Sequence, residues 1–132
     1  MAWQVPHFTP GGLSAAADLS SKQFYFVKLT AANQVDLCTV DGEFAIGVLQ
    51  NKPIAGTAAA VEFSGVSKVV AGESLLPGMF VGTDTAGRAK QVDMTATGAD
   101  LGDWIVGSVL EGAGTNEIAT VKLGTPYYRV TA

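Results

Sequence analysis

The side chains able to do chemistry are few in this chain of 132 residues. His7 is the sole histidine and Cys38 the sole cysteine. A serine–histidine–acid relay needs its histidine held beside a nucleophile on a rigid element, whereas His7 lies between Pro6 and Pro10 with no nucleophile turn nearby. One histidine and one distant cysteine make neither a zinc site nor a cysteine–histidine pair. A single cysteine also rules out an intrachain disulfide, and Cys38 reads as a small buried apolar residue. Paired carboxylates can cleave glycosidic bonds, but Asp36, Asp41, Asp84, Asp93, Asp100 and Asp103 fall mostly at strand ends and turns, where aspartate is a turn former. Asp93 to Asp103 lacks the alternating oxygen ligands and closing glutamate of a calcium loop. The run Glu111-Gly112-Ala113-Gly114-Thr115 joins two strand-like segments and does not open a helix whose amides could hold a phosphate. The expectation is a protein that is not an enzyme, with no catalytic, cofactor-binding or metal-ligating residues.

The elements that would have to position any site are doubled. Glu43-Phe44-Ala45-Ile46-Gly47 is echoed sixty residues on by Asp103-Trp104-Ile105-Val106-Gly107, and Ala60-Val61-Glu62-Phe63 by Thr120-Val121-Lys122-Leu123. Upstream, Phe26-Val27 and Phe80-Val81 begin a second echo, shifted by fifty-four. Each leads through a polar turn into another short alternating run. Glycine inside a strand marks a bulge or a close backbone approach, and its recurrence as Gly47 and Gly107 makes it part of the unit. Nine or ten short strands without a helix of normal length predict an all-β fold, a compact β-barrel or β-sandwich of tulip-like form. Two copies are too few for a solenoid, so pseudo-twofold closure of one sheet system is expected.

Sixteen glycines and 15% charged residues fit a small folded β domain. The net charge is −4 and no Lys/Arg cluster exists to follow a phosphate backbone, which argues against nucleic acid as a partner. No apolar run approaches the roughly 20 residues that cross a bilayer. The start of the chain lacks the charged and apolar regions of a signal peptide, and a cytoplasmic site of folding is expected.

The boundaries read as an extended N-terminal arm over 1–21 and a single β domain over 22–132, with pseudo-repeats over about 24–64 and 78–124. In the arm, Trp3, Val5, Phe8 and Leu13 are bulky apolar groups with no helical or strand period, held by prolines and loosened by Gly11-Gly12. Ala15 to Ser20 has the composition for one helical turn. Burying one large aromatic side chain is worth about 1.5–3 kcal/mol, so the arm suits either a partner surface or its own domain. The tail Thr125-Pro126-Tyr127-Tyr128-Arg129 again sets aromatics beside a proline.

Several phrases in fixed order resemble tailed-phage capsid cement proteins, also called head decoration proteins. They are Asp18-Leu-Ser-Ser-Lys-Gln-Phe-Tyr-Phe-Val-Lys-Leu29, Ala45-Ile-Gly-Val-Leu-Gln-Asn-Lys-Pro53, Ser64-Gly-Val-Ser-Lys-Val-Val-Ala-Gly72, Gly82-Thr-Asp-Thr-Ala-Gly-Arg88 and Ile105-Val-Gly107, spanning residues 18 to 123. The resemblance implies a non-enzymatic virion protein, commonly a homotrimer at or near threefold positions. Such a protein binds the outer surface of the expanded head and ties adjacent major capsid subunits together. On that reading Trp3, Val5, His7 and Phe8 are the candidates for capsid contact. Tyr127, Tyr128 and Arg129 are candidates for capsid or subunit contact. Two alternatives remain open. A biotinyl- or lipoyl-like carrier would need a modifiable lysine at a hairpin tip, and Lys68 is the nearest approach. A glycan-binding module would need an exposed Trp or Tyr platform, and Trp104 reads as core.

Overall fold

Phe26-Val27 and Phe80-Val81 each open a strand, and the same five-stranded unit is built around each pair. The structure, a computed structural model, describes residues 12–94 and 102–128. In the first unit β1 (Ser14–Ala15), β2 (Phe26–Ala31), β3 (Gln34–Leu37), β4 (Gly47–Leu49) and β5 (Val61–Glu62) form a sheet in the order β1-β3-β2-β4-β5. In the second, β6 (Gly65–Val70), β7 (Phe80–Thr83), β8 (Ala89–Gln91), β9 (Trp104–Glu111) and β10 (Ile118–Tyr128) are ordered β6-β10-β9-β7-β8. The path β3-β2-β4-β5 therefore recurs as β8-β7-β9-β10. The fold is all-β, as the alternation of apolar residues predicts, with no helix among the described residues.

The registers repeat pair by pair. Val27 with Leu37, Lys28 with Asp36 and Leu29 with Val35 become Val81 with Gln91, Gly82 with Lys90 and Thr83 with Ala89. Phe26 with Val48 becomes Phe80 with Ser108, and Leu49 with Val61 becomes Val109 with Val121. Backbone handedness repeats as well. Positive φ occurs at Phe24 (69°) and Gly78 (88°), at Asn33 (59°) and Gly87 (79°), at Gly42 (72°) and Gly102 (89°), and at Gly56 (81°) and Asn116 (65°). Phe24 is the strained member, because a bulky side chain rarely adopts that region. Its N–H donates to the Leu49 carbonyl at 2.7 Å, as the Gly78 N–H does to Val109 at 2.8 Å.

Each sheet closes on itself. Ser14 pairs in parallel with Gln34 and bridges Ala58, just before β5, on its other side. In the second unit Val70 pairs with Ile118, and the next residue, Ala71, bridges Ala89 in parallel. Residues 13–19, read from sequence as the inner end of the arm, thus supply the first strand and part of a core. Ala15 to Ser20 takes no helical turn; an isolated turn is costly to nucleate, whereas β1 gains backbone partners on both sides.

The two interiors match member for member. Leu13, Ala15, Leu19, Val27, Val35, Leu49, Ala59 and Val61 fill the first. Val69, Ala71, Leu75, Val81, Ala89, Val109, Ala119 and Val121 fill the second. Side chains alternate along a strand, so Phe26 and Val48 point away from the first interior. With Cys38 and Ala45 they are fully buried and join the core of the second unit. A pseudo-twofold would bring equivalent walls together. Here the outer wall of one unit meets a different surface of the other, so the expected pseudo-twofold closure of one sheet system gives way to two units joined head to tail.

Gly47 and Gly107 make the same close approach to a neighbouring backbone carbonyl. Val27 pairs with Gly47 and also accepts the Ile46 N–H at 2.9 Å. A Cβ at Gly47 would overlap the Glu62 carbonyl, and one at Gly107 the equivalent Lys122 carbonyl. Gly107→Ala is expected to lower stability by about 1–3 kcal/mol, because backbone cannot move aside as a flexible side chain can. Gly124→Ala, which meets nothing within 4 Å, should leave the melting temperature unchanged or slightly raised. Thermal unfolding of the two variants checks this.

Candidate functional site

Polar groups gather where the units meet, and their geometry is structural. Lys90 of β8 extends its ammonium to Asp103 at 2.5 Å and to Asp41, from the turn before β4, at 2.7 Å. Burial disfavours the Lys90 charge, but the hydrogen bonds to Asp103 and Asp41 outweigh it and hold its pKa above the usual lysine range. A lysine between two carboxylates neutralises them, unlike an open pair that hydrolyses a glycoside. The first unit has a counterpart. Glu43 is sixty residues before Asp103, and it meets Lys28 at 3.0 Å while accepting the N–H groups of Thr39 (2.9 Å) and Val40 (2.5 Å). Burial raises the Glu43 carboxyl, yet the Lys28 ammonium and those two N–H groups more than offset it, leaving the pKa below the ordinary glutamate value. The lysine has changed strand between the units. Lys28 occupies the position of Gly82, and Lys90, the register partner of Gly82, supplies the charge in its place.

The other candidates resolve in the same way. Cys38 is buried and free, its thiol pushed up to about 12 by burial and then by the charge of Glu43. Asp84 is a turn former, accepting the N–H groups of Ala86 and Arg88 at 2.8 Å and pairing with the Arg88 side chain at 3.2 Å. Glu111 to Thr115 runs from β9 to β10 without a helix to follow. Lys68 lies inside β6, not at a hairpin tip, with its ammonium over the Phe24 ring at 5.8 Å. Trp104 is half-buried and packs edge-on against Phe44, its repeat equivalent, with ring centroids 4.8 Å apart. Among the described residues no group of three His, Cys, Asp or Glu side chains could hold a metal.

Trp3, Val5, His7, Phe8 and Arg129 lie outside the described residues. Tyr127 and Tyr128 end β10, where they pair with Ile105 and Trp104. Sequence reasoning missed another set of surface groups. Leu29, Ile54 and Leu76 are more than half exposed, and Phe80 keeps 38% of its surface accessible. Phe80 borders two grooves on the outer wall of the second unit, one running to Ser108 and Lys122, the other to Leu76 and Met94. Comparing the two repeats position by position carries that signal, because Phe80 stands where Phe26 is fully buried.

No protein-family model matches the chain, and no curated protein matches it in sequence. Solved structures do resemble it. The N base of head fibre gp8.5 from bacteriophage phi29 superposes with a TM-score of 0.63 at 14% identity, covering 92% of this chain and 95% of that one. A chain from the capsid of Myoviridae phage XM1 gives 0.60 at 19% identity, covering 91% and 84%. At such identities the likeness is one of fold. It shows that this chain shares the compact all-β fold of those two structures.

Lys90→Met should destabilise the protein by about 3 kcal/mol, because it strands Asp103 without its counter-charge at a largely buried position; chemical denaturation measures this. Glu43 gives a pH dependence. Its folded pKa is depressed, so its contribution is present above the ordinary glutamate value and lost as the pH falls through the folded one. Glu43→Gln should therefore melt below wild type near neutrality, the gap closing in acid. Scans of melting temperature from neutral to strongly acid pH test the sign.

Proposed function

We propose that this is a structural capsid cement, or decoration, protein. It binds the outer surface of the expanded phage head and staples adjacent major capsid subunits against the pressure of packaged DNA. It works as a homotrimer at or near threefold positions, is assembled in the host cytoplasm and has no enzymatic activity, nucleic-acid partner or membrane partner. The observation that carries this reading is the fold likeness to two phage-head structures over more than nine-tenths of the chain. The described residues add support. Lys28, Glu43, Asp41, Asp84, Arg88, Lys90 and Asp103 are engaged in turns and in ties within and between the units, which suits a structural role for them.

Stapling follows from multivalency. Once one subunit of a trimer is seated, its sisters bind at high effective concentration, and release requires breaking all contacts together. A protein that binds only the expanded lattice stabilises that lattice by linkage. Trp3, Val5, His7 and Phe8 are the first capsid-contact candidates, since large aromatics dominate interface energetics. Tyr127, Tyr128 and Arg129 are the second, for capsid or sister subunit. Deleting residues 2–11 leaves Leu13 and the first core in place, so the truncated protein should fold and assemble as wild type does. Cryo-electron microscopy of bare expanded heads mixed with each protein is the test: wild type should decorate them and the truncation should not. Undiminished occupancy by the truncation refutes the arm's role, and bare heads with wild type refute the function.

A further inference from the structure

The Lys90 cluster holds the parts of a condensation as well as those of an ion pair. Its ammonium reaches Asp103 Oδ2 at 2.5 Å and Asp41 Oδ2 at 2.7 Å. The Lys90 and Asp103 side chains are 11% and 9% exposed, whereas Asp41 opens to solvent at 49%. Gly42 covers the Asp103 carboxylate with bare backbone, at a φ of 72°, where a Cβ would overlap Oδ1 and Cγ. With Nζ touching Oδ2, Asp103 Cγ stands one bond further on, at about the 3–3.5 Å from which a nucleophile attacks. The equivalent pair in the first unit is built differently. Lys28 and Glu43 are 26% and 16% exposed, and the N–H groups of Thr39 and Val40 hold the Glu43 carboxylate in its charged form. Among the described residues, the Lys90 ammonium is the only donor to Asp103.

We propose that Lys90 and Asp103 condense to an isopeptide bond, with Asp41 relaying a proton. The driving force is the cost of keeping two charges out of water, which a neutral amide no longer carries. Burial is the largest single influence on the Lys90 charge and acts against it, although the two carboxylates together outweigh it. In the reaction, one ammonium proton passes along the hydrogen bond to Asp103, leaving a neutral amine beside a neutral acid. The Nζ lone pair attacks Cγ, and Asp41, within hydrogen-bond reach, takes the second proton that the nitrogen sheds. Asp41 returns that proton to the departing hydroxyl, which leaves as water while the carbonyl re-forms. A C–N bond replaces a C–O bond, nothing is oxidised or reduced, and Asp41 ends as the carboxylate it began. The product ties β8 to the start of β9, between residues thirteen apart in sequence. It concerns the folded chain alone and stands apart from the capsid reading.

Mass spectrometry of the purified, denatured full-length protein decides it. The intact mass should fall one water short of the sequence. Cleavage before aspartate cuts between Lys90 and Asp103 at Asp93 and Asp100, so segments 84–92 and 100–132 should remain joined. Lys90→Arg keeps a positive charge but has no amine to acylate, and should show its full sequence mass. Asp41→Asn, at a half-exposed position, should match wild type by circular dichroism yet be recovered mostly unlinked. Wild type at its full sequence mass overturns the inference. So does a lost water with the two segments free, which places the dehydration elsewhere, as in a cyclic imide at Asp41-Gly42. Asp41→Asn protein linked as completely as wild type overturns the relay.

Discussion

The seat of one unit on the other is the constraint from which the rest of the structure follows. Phe26 can be fully buried only because the Gly87 carbonyl takes its N–H and because the second unit covers its ring. The turn carrying Gly42 is tied to both sides of that seat, donating to Thr83 and accepting the Trp104 N–H at 2.9 Å. Asp41, beside it, reaches across to Lys90. Backbone bonds, apolar burial and an ion pair thus coincide at one seam. Loss of any one would expose polar groups already removed from water, which is why units this small hold together.

Duplication has left each unit the same framework with local substitutions that keep the physics constant. The counter-charge for the carboxylate before β4 or β9 comes from the inner strand in one unit and from its paired strand in the other. The tight approach of backbone to backbone is met by glycine in both. The left-handed position before the first long strand is glycine in one and phenylalanine in the other, and there the conformation outlasts the residue that suits it. Hydrogen bonds from Phe24 and Gly78 to equivalent carbonyls explain this, since register over-determines the backbone.

Much of this was legible in the residues. Alternation and turn chemistry identify the strands, and the echoes at fifty-four and sixty locate equivalent positions down to Gly47 and Gly107. The start of the unit was less readable. Leu13, Ala15 and Leu19 correspond to Val69, Ala71 and Leu75 with a spacing of fifty-six, and these small or aliphatic residues are too common to mark an echo, so read from sequence the repeat begins later than it does. The packing sense of the units was not legible either. Periodicity says which side chains share a face of a strand, but not which face meets which unit. The candidate contact residues near the termini rest on residue type alone, whereas the exposure of Leu29 and Phe80 emerges only when the repeats are compared in the structure.

The single residue pairs that close each sheet have a consequence for crowding. A sheet whose first strand meets its last offers few unpaired N–H and C=O groups along its sides, and those rows are what another chain needs to add itself as an extra strand. Such units can be packed at very high local density without offering one another the open sheet edge on which a fibril grows.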